Sequence, residues 1–254
     1  MRGIVSALSL QPTSDTDSGT GILAAGTWTR WIGLYDSSGL GGTVATWSIA
    51  SAADEHAGIG GTGITQTAWS VCGRYLYVVE RKSRGVLVFD VRVTGKLVGW
   101  LEGREGMTNQ RLGIDVFEGE RGTEVWGGGT DGVVGVWEGV GLTEGGQQRS
   151  WEWKAHDGER SPNSFGCRNS NLVVDPVSST VVHRTGTVVA TCSGKRADQI
   201  AYGDSESETE SESNSDTDSS EEEDDSSSDD ESTSTSSARP LSQTPDNSIK
   251  VWSL

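Results

Sequence analysis

The 254-residue chain sets 37 acidic against 20 basic residues, a net charge of −17, and is unusually rich in both Gly (35) and Trp (10). Residues 204–231 hold 15 of the acids and no Lys or Arg, which leaves the rest of the chain at about −2. Global charge therefore argues neither for nor against nucleic acid. Cys72, Cys167 and Cys192 are odd in number and lack metal-ligand spacing, which excludes a disulfide framework and a zinc site and points to free thiols in a reducing compartment. The apolar patch Ile4–Leu10 is too short and too mixed for a signal peptide or a membrane span.

In chain order the pattern is one of short strands separated by turn residues. The first group comprises Ile4–Leu10, Gly21–Gly26, Trp31–Asp36 and Thr43–Ile49. A second has Ile64–Trp69, Tyr75–Val79, Val86–Asp90 and Lys96–Leu101, with turns at Cys72-Gly73-Arg74 and Arg81–Gly85. A third uses Leu112–Phe117, Glu124–Gly128, Val133–Trp137 and Ser150–Trp153, with Gly139–Gln148 read as an irregular linker. The fourth draws on Ser170–Val174, Val188–Cys192 and the terminal DNSIKVWSL. Four short strands per unit, repeated at about 40–50 residues, are the signature of WD-repeat blades.

The pair that closes each third strand recurs in degenerate form as Tyr35-Asp36, Phe89-Asp90, Trp137-Glu138 and Val251-Trp252-Ser253. Lys154-Ala155-His156-Asp157 stands where a Gly-His pair precedes a blade. His156, a Ser or Thr on the second strand, Asp246 and Trp252 are expected to form a rigidifying hydrogen-bond network, which makes His156 structural. The fold class is thus all-β, a WD40-type β-propeller with about four blades visible. Such propellers usually close with about seven blades, so the expectation is a partial propeller, the C-terminal part of a larger protein or a truncated product. The domain reading is 1–202 partial propeller, 203–245 acidic insert and 246–254 last strand.

The insert, nearly all Ser, Thr, Asp and Glu, cannot bury enough apolar surface to order itself. Ser219 and Ser226 each stand three residues before an acid, a pattern that suits an acidophilic kinase. A plain solubilising role is the alternative. Springing from the last blade's second-to-third turn, the insert would compete with an anionic ligand for any basic patch on that face.

Second-to-third turns and the loops entering each first strand share one face of a propeller. There they would gather Arg30, Arg81, Lys82, Lys195 and Arg196 with Asn109, Gln110 and Arg111, and Trp28 nearby. Cations, amides and an indole on one face suit phosphate contact with base stacking on unpaired RNA. The bland alternative is that turns carry Lys and Arg for solubility.

Five segments carry a family likeness: LAAGTWTRWIGLYD (23–36), GITQTAWSVCGRYLYVVERK (63–82), TNQRLGIDV (108–116), KAHDG (154–158) and VVATCSGKR (188–196). In these the chain resembles the telomerase Cajal body protein family, a fungal-like member in its C-terminal part. The resemblance implies a noncatalytic adaptor that binds small Cajal-body or telomerase-type H/ACA RNA and its particle proteins. It also implies a nuclear location in or near Cajal bodies, with no cofactor, no metal, no membrane and no small-molecule substrate. A protein scaffold of nuclear particles linked to pre-mRNA splicing is the alternative. An enzyme is disfavoured by three His in dissimilar contexts, the lack of HExxH or GxSxG, and a Gly127–Gly129 run that reads as a blade turn rather than a phosphate loop.

Overall fold

The computed structural model describes residues 2–12, 21–37, 41–156, 175–194 and 247–254. All of them fall in one compact unit, Met1–Arg196 with Gln243–Leu254. The acidic insert, Ser170–Val174, Asp246 and Cys167 lie outside the described residues, as do the two candidate cations Lys195 and Arg196.

Sixteen strands arise among the described residues, and consecutive ones pair antiparallel into four sheets. The first holds β1 (Val5–Leu10), β2 (Ile22–Thr27), β3 (Trp31–Asp36) and β4 (Thr43–Ser48). The second holds β5 (Ile64–Trp69), β6 (Tyr75–Glu80), β7 (Val86–Asp90) and β8 (Lys96–Leu101). The third holds β9 (Ile114–Gly119), β10 (Gly122–Gly128), β11 (Val133–Trp137) and β13 (Trp151–Lys154). The fourth holds β14 (Val177–Val182), β15 (Val188–Ser193) and β16 (Ile249–Ser253). Each sheet is a meander with its first strand innermost, so the fold is a four-bladed arc of a WD40-type β-propeller.

One strand was not anticipated and one expectation needs correction. The innermost described strand of the fourth blade is β14, which the sequence reading did not include, while Ser170–Val174 lies outside the described residues. Pro176 has no N–H and cannot sit within the ladder, so the strand starts just after it. The Val177 N–H then bonds Gly129 O at 2.9 Å, and the Val182 N–H bonds Asp115 Oδ2 at 2.7 Å, fixing β14 against the third blade. The supposedly irregular 139–148 linker contains β12 (Gly145–Gln147), which pairs in parallel with β8 and gives the second blade a fifth strand. Three residues dominated by Gly carry no alternation that a sequence pattern could detect.

The apolar residues form three clusters, one at each junction of neighbouring blades. In the central blades the strands are buried on both faces, and adjacent residues serve opposite junctions. Leu76, Val78, Leu87 and Phe89 pack toward the first blade with Ile32 and Leu34. Their neighbours Tyr77, Val79, Val86 and Val88 pack toward the third with Val125 and Trp137. This explains the unbroken apolar runs YLYVV and VLVF where a half-exposed strand would alternate. Val134, Val136 and Trp126 then meet Val177, Val182 and Val189 of the fourth blade. Gly128 allows that last approach, because a Cβ there would lie 2.5 Å from Val177 O.

Three members of the expected hydrogen-bond network, His156, Thr191 and Trp252, are joined, while Asp246 lies outside the described residues. His156 Nε2 lies 2.8 Å from Thr191 Oγ1, and Trp252 Nε1 donates to the same oxygen at 3.0 Å. The other ring nitrogen, Nδ1, lies 3.3 Å from Ser248 Oγ. All three side chains are thereby tied at the third-to-fourth junction. Thr191→Val would remove the partner of the buried His156 Nε2 and leave the indole N–H without its acceptor. A loss of about 2–3 kcal/mol is expected in urea unfolding followed by circular dichroism.

Candidate functional site

The second-to-third turns and the blade-to-blade loops knit into one continuous surface through backbone hydrogen bonds. The Thr62 N–H reaches Arg81 O at 2.9 Å, and the Lys82 N–H reaches Thr108 O at 3.3 Å. The Arg104 N–H reaches Arg84 O at 3.2 Å, and the Thr130 N–H reaches Glu105 O at 2.7 Å. Gln110 Nε2 donates to Gly194 O at 3.2 Å, bringing the fourth blade's turn to the same loop. Among the described residues these turns and loops thus lie together on one face.

Its side chains do different work from one another. Arg30, read as a candidate ligand contact, is spent inside the protein: Nε donates to Glu80 Oε1 at 2.6 Å, and Nη1 and Nη2 bond the Asp54 carboxylate at 2.7 and 2.8 Å. Glu80 is buried and Asp54 half exposed. The Asp54 hydrogen bond is the leading cause that raises Arg30 above its ordinary value, and the same bond holds the Asp54 carboxyl below the usual carboxylate range. Gln110 is used to bridge blades. Arg111 turns away as well, with Nη2 donating to Ser6 O at 2.5 Å across a central channel of about 630 Å³. Arg30, Gln110 and Arg111 thus hold the propeller together.

What remains for a ligand is a smaller group. The Arg81 guanidinium lies 4.0 Å from the ring centre of Trp28, an indole 46% exposed. Arg81 Nε has no acceptor. Lys82 and Asn109 are exposed beside it, as is Arg84, which the sequence reading passed over. Arg30 and Lys82 both hold positive φ, 64° and 52°, at equivalent turns of adjacent blades. Such a backbone costs non-glycine residues about 1–2 kcal/mol. At Arg30 the ion pairs offset that cost. Among the described residues Lys82 makes no ion pair that would.

Two features lacked any local sequence signal. Arg104, fully buried, fills the second-to-third junction, where Nε donates to Gly128 O at 3.0 Å and Nη2 to Leu112 O at 2.8 Å. Burial pushes its pKa down to about 10. On the third blade a groove of about 590 Å³ gathers Glu118, Glu124 and Glu138 beside Trp126 and Trp151. Burial raises the Glu124 carboxyl, with its neighbouring carboxylates adding to the shift. Among the described residues no His, Cys, Asp or Glu cluster could hold a metal ion, and no helix is long and apolar enough to cross a membrane.

No protein-family model matches the chain. It is 35% identical over 144 residues to the guanine nucleotide-binding protein negative regulator 1 of Schizosaccharomyces pombe (strain 972 / ATCC 24843), a match covering 57% of this chain and 32% of that protein. The chain thus spans about a third of the length of that curated relative. Among solved structures it is similar to Chaetomium thermophilum Sqt1, crystallised bound to the N-terminus of the ribosomal protein L10. The TM-score is 0.49 at 20% identity, over 73% of this chain and 40% of that one.

Two outcomes follow from the geometry. Lys82→Gly should stabilise the protein by about 1 kcal/mol in chemical denaturation, because it relieves the left-handed backbone. Asp54, depressed in the folded state, contributes stability above the ordinary carboxylate pKa of about 3.9 that is lost as pH falls through the folded value. Asp54→Asn should therefore flatten the acid limb of a Tm-against-pH profile and lower Tm at neutral pH.

Proposed function

We propose that the protein is a noncatalytic WD-repeat adaptor that engages an anionic partner through the Trp28–Arg81–Lys82–Asn109 face. The observation that carries this reading is the Arg81 guanidinium, held 4.0 Å from the ring centre of the half-exposed Trp28 indole. A guanidinium held over an aromatic ring is pre-organised to bind a carboxylate or phosphate and loses little side-chain freedom in doing so. A rigid propeller rim is a suitable platform for such a contact, and its loops are where binding residues concentrate.

An acidic segment of a protein is the partner we favour. The relative's name describes it as a negative regulator of a guanine nucleotide-binding protein, which is a role exerted on another protein. The internal use of Arg30, Gln110 and Arg111 also leaves a patch sized for a few anionic groups rather than a long phosphate track. The second reading, small Cajal-body or telomerase-type RNA with nuclear localisation, is favoured by the exposed Trp28 ring, on which an unpaired base could stack next to Lys82 and Asn109.

The two readings separate in one anisotropy titration. A fluorescent Asp/Glu-rich 12-residue peptide and a labelled single-stranded 12-nucleotide RNA are each titrated with the full 254-residue chain at low and physiological salt. The expected result is peptide binding weakened at least tenfold by Arg81→Glu/Lys82→Glu, and unaffected by Arg121→Glu on the opposite rim. RNA binding stronger than peptide binding and lost in Trp28→Ala would transfer the assignment to RNA. Equal affinity of wild type and the double variant for both probes would sink the site.

A further inference from the structure

The groove on the third blade lies at the rim away from Arg81, where β9 turns into β10. Residues two apart on a strand share a face, so Glu124 and Trp126 of β10 point the same way, and the indole N–H donates to Glu124 Oε2 at 3.0 Å. Trp151 of β13 donates likewise to Glu138 Oε1 at 3.3 Å. The Trp151 ring stacks on Trp153, with ring centres 5.6 Å apart and planes 27° from parallel, and Trp126 meets it edge-on at 5.1 Å. Trp151 nevertheless stays 38% exposed. The result is a braced aromatic wall with carboxylates fixed along it. The turn at Thr185-Gly186 lines the groove from the fourth blade.

Charge in the groove is lopsided. Glu118, Glu120, Glu124 and Glu138 line it with a single cation, Arg121. Arg121 holds Glu138 Oε2 through one nitrogen, Nη1, at 3.0 Å, and its side chain is 78% exposed. Glu118 accepts the Thr123 hydroxyl at 3.1 Å. Glu124 is served least. Among the described residues its Oε1 accepts no hydrogen bond, and that oxygen rests against Gly119, where a Cβ would collide with it. Partial burial and the neighbouring charges of Glu138 and Glu118 raise this carboxyl. An incoming cation would relieve both.

We propose that the groove binds an arginine side chain of a basic protein segment, its guanidinium over the open part of the Trp151 ring and an N–H donated to Glu124 Oε1. Charge complementarity and shape select this occupant. A guanidinium is planar, weakly hydrated and forked, so it can lie on an indole while bonding a carboxylate beside it. An ammonium is a compact, strongly hydrated point charge, and a quaternary one has no N–H for Oε1.

The molecule itself already uses both halves of this contact. Arg81 lies 4.0 Å from the Trp28 ring centre, and Arg121 sits on Glu138 within the groove. A volume of about 590 Å³ is more than one guanidinium fills, which leaves room for flanking backbone. Glu118 and Glu120, both exposed, would meet a second basic residue of the segment. The groove stands or falls independently of the Trp28–Arg81 face.

The test is fluorescence anisotropy on the full 254-residue chain at physiological salt, with a labelled peptide of alternating Arg and Gly and its Lys counterpart. The Arg peptide is expected to bind about tenfold more tightly than the Lys peptide. Glu124→Gln keeps the shape of the side chain and removes its charge, and should weaken Arg-peptide binding about tenfold, as should Trp151→Ala. Glu144→Gln makes the same charge change at an exposed residue of this rim outside the groove, and should leave binding unchanged. Circular dichroism reports folding, and Glu124→Gln carries the test alone if Trp151→Ala unfolds.

The 15 acids of residues 204–231 would also attract a basic peptide. Affinity that is the same in the wild type and the groove variants would assign the peptide to them and overturn the proposal. So would Arg and Lys peptides that bind alike, an equal loss in Glu144→Gln, or no binding of the Arg peptide.

Discussion

Each boundary between blades in this protein poses the same problem: the loop that enters a new blade must leave one sheet and insert into the next without abandoning its backbone polar groups. The solution each time is a hydrogen-bonding side chain driven into the junction from the same rim. Arg30, reaching from the first blade, grips buried Glu80 of the second along with Asp54. Arg104 supplies donors to three carbonyls at the next junction, where no carboxylate is needed because Gly128, Leu112 and Gly113 present their oxygens inward. His156 closes the third junction through Thr191 and Trp252. Dispersion and apolar burial hold the blades close, but these polar anchors fix where one blade sits on another.

That arrangement decides what is left for recognition. The rim is the place where cations are required internally, so a count of Arg and Lys on it overstates the charge available to a partner. Arg30, Gln110 and Arg111 are consumed in joining blades, whereas Arg81 lies on Trp28 and Lys82 projects from a strained turn. A partner would thus meet a compact aromatic and cationic spot set on rigid turns. Its rigidity derives from the same hydrogen bonds that complete the propeller.

Much of the fold was legible because blade architecture writes two strong signals: short β-rich segments at a regular period and turn residues at their joints. The runs at 64–69, 86–90, 96–101 and 133–137 were bounded correctly for this reason. The strand β14 shows the limit, since VSSTVV carries three consecutive hydroxyl residues and reads as a loop. The inner strand of a propeller lines a channel and tolerates hydroxyls, so hydrophobicity gives it only a weak signal. The face could be inferred from topology, but the fate of each cation on it could not. Glu80 reads simply as the end of a strand, and nothing local reveals that it turns back to Arg30, 50 residues earlier. Arg104 was opaque for a related reason, because an unpaired buried guanidinium is the least expected occupant of such a site.

The β12 segment has a consequence for how the arc comes apart. It belongs by sequence to the third blade, between β11 and β13, yet it is hydrogen-bonded along the outer edge of the second. Gln148 extends the attachment to the Glu102 carboxylate, and the Gln147 side chain ties the segment back to Glu138 O of the third blade. Repeat proteins often lose their units one at a time, because each unit touches only its neighbours through a single interface. Here the second and third blades share a strand as well as an interface, so neither can open its outer edge while the other stays whole. Under heat or force these two blades would fail as one cooperative block, with the end blades fraying from either side of it.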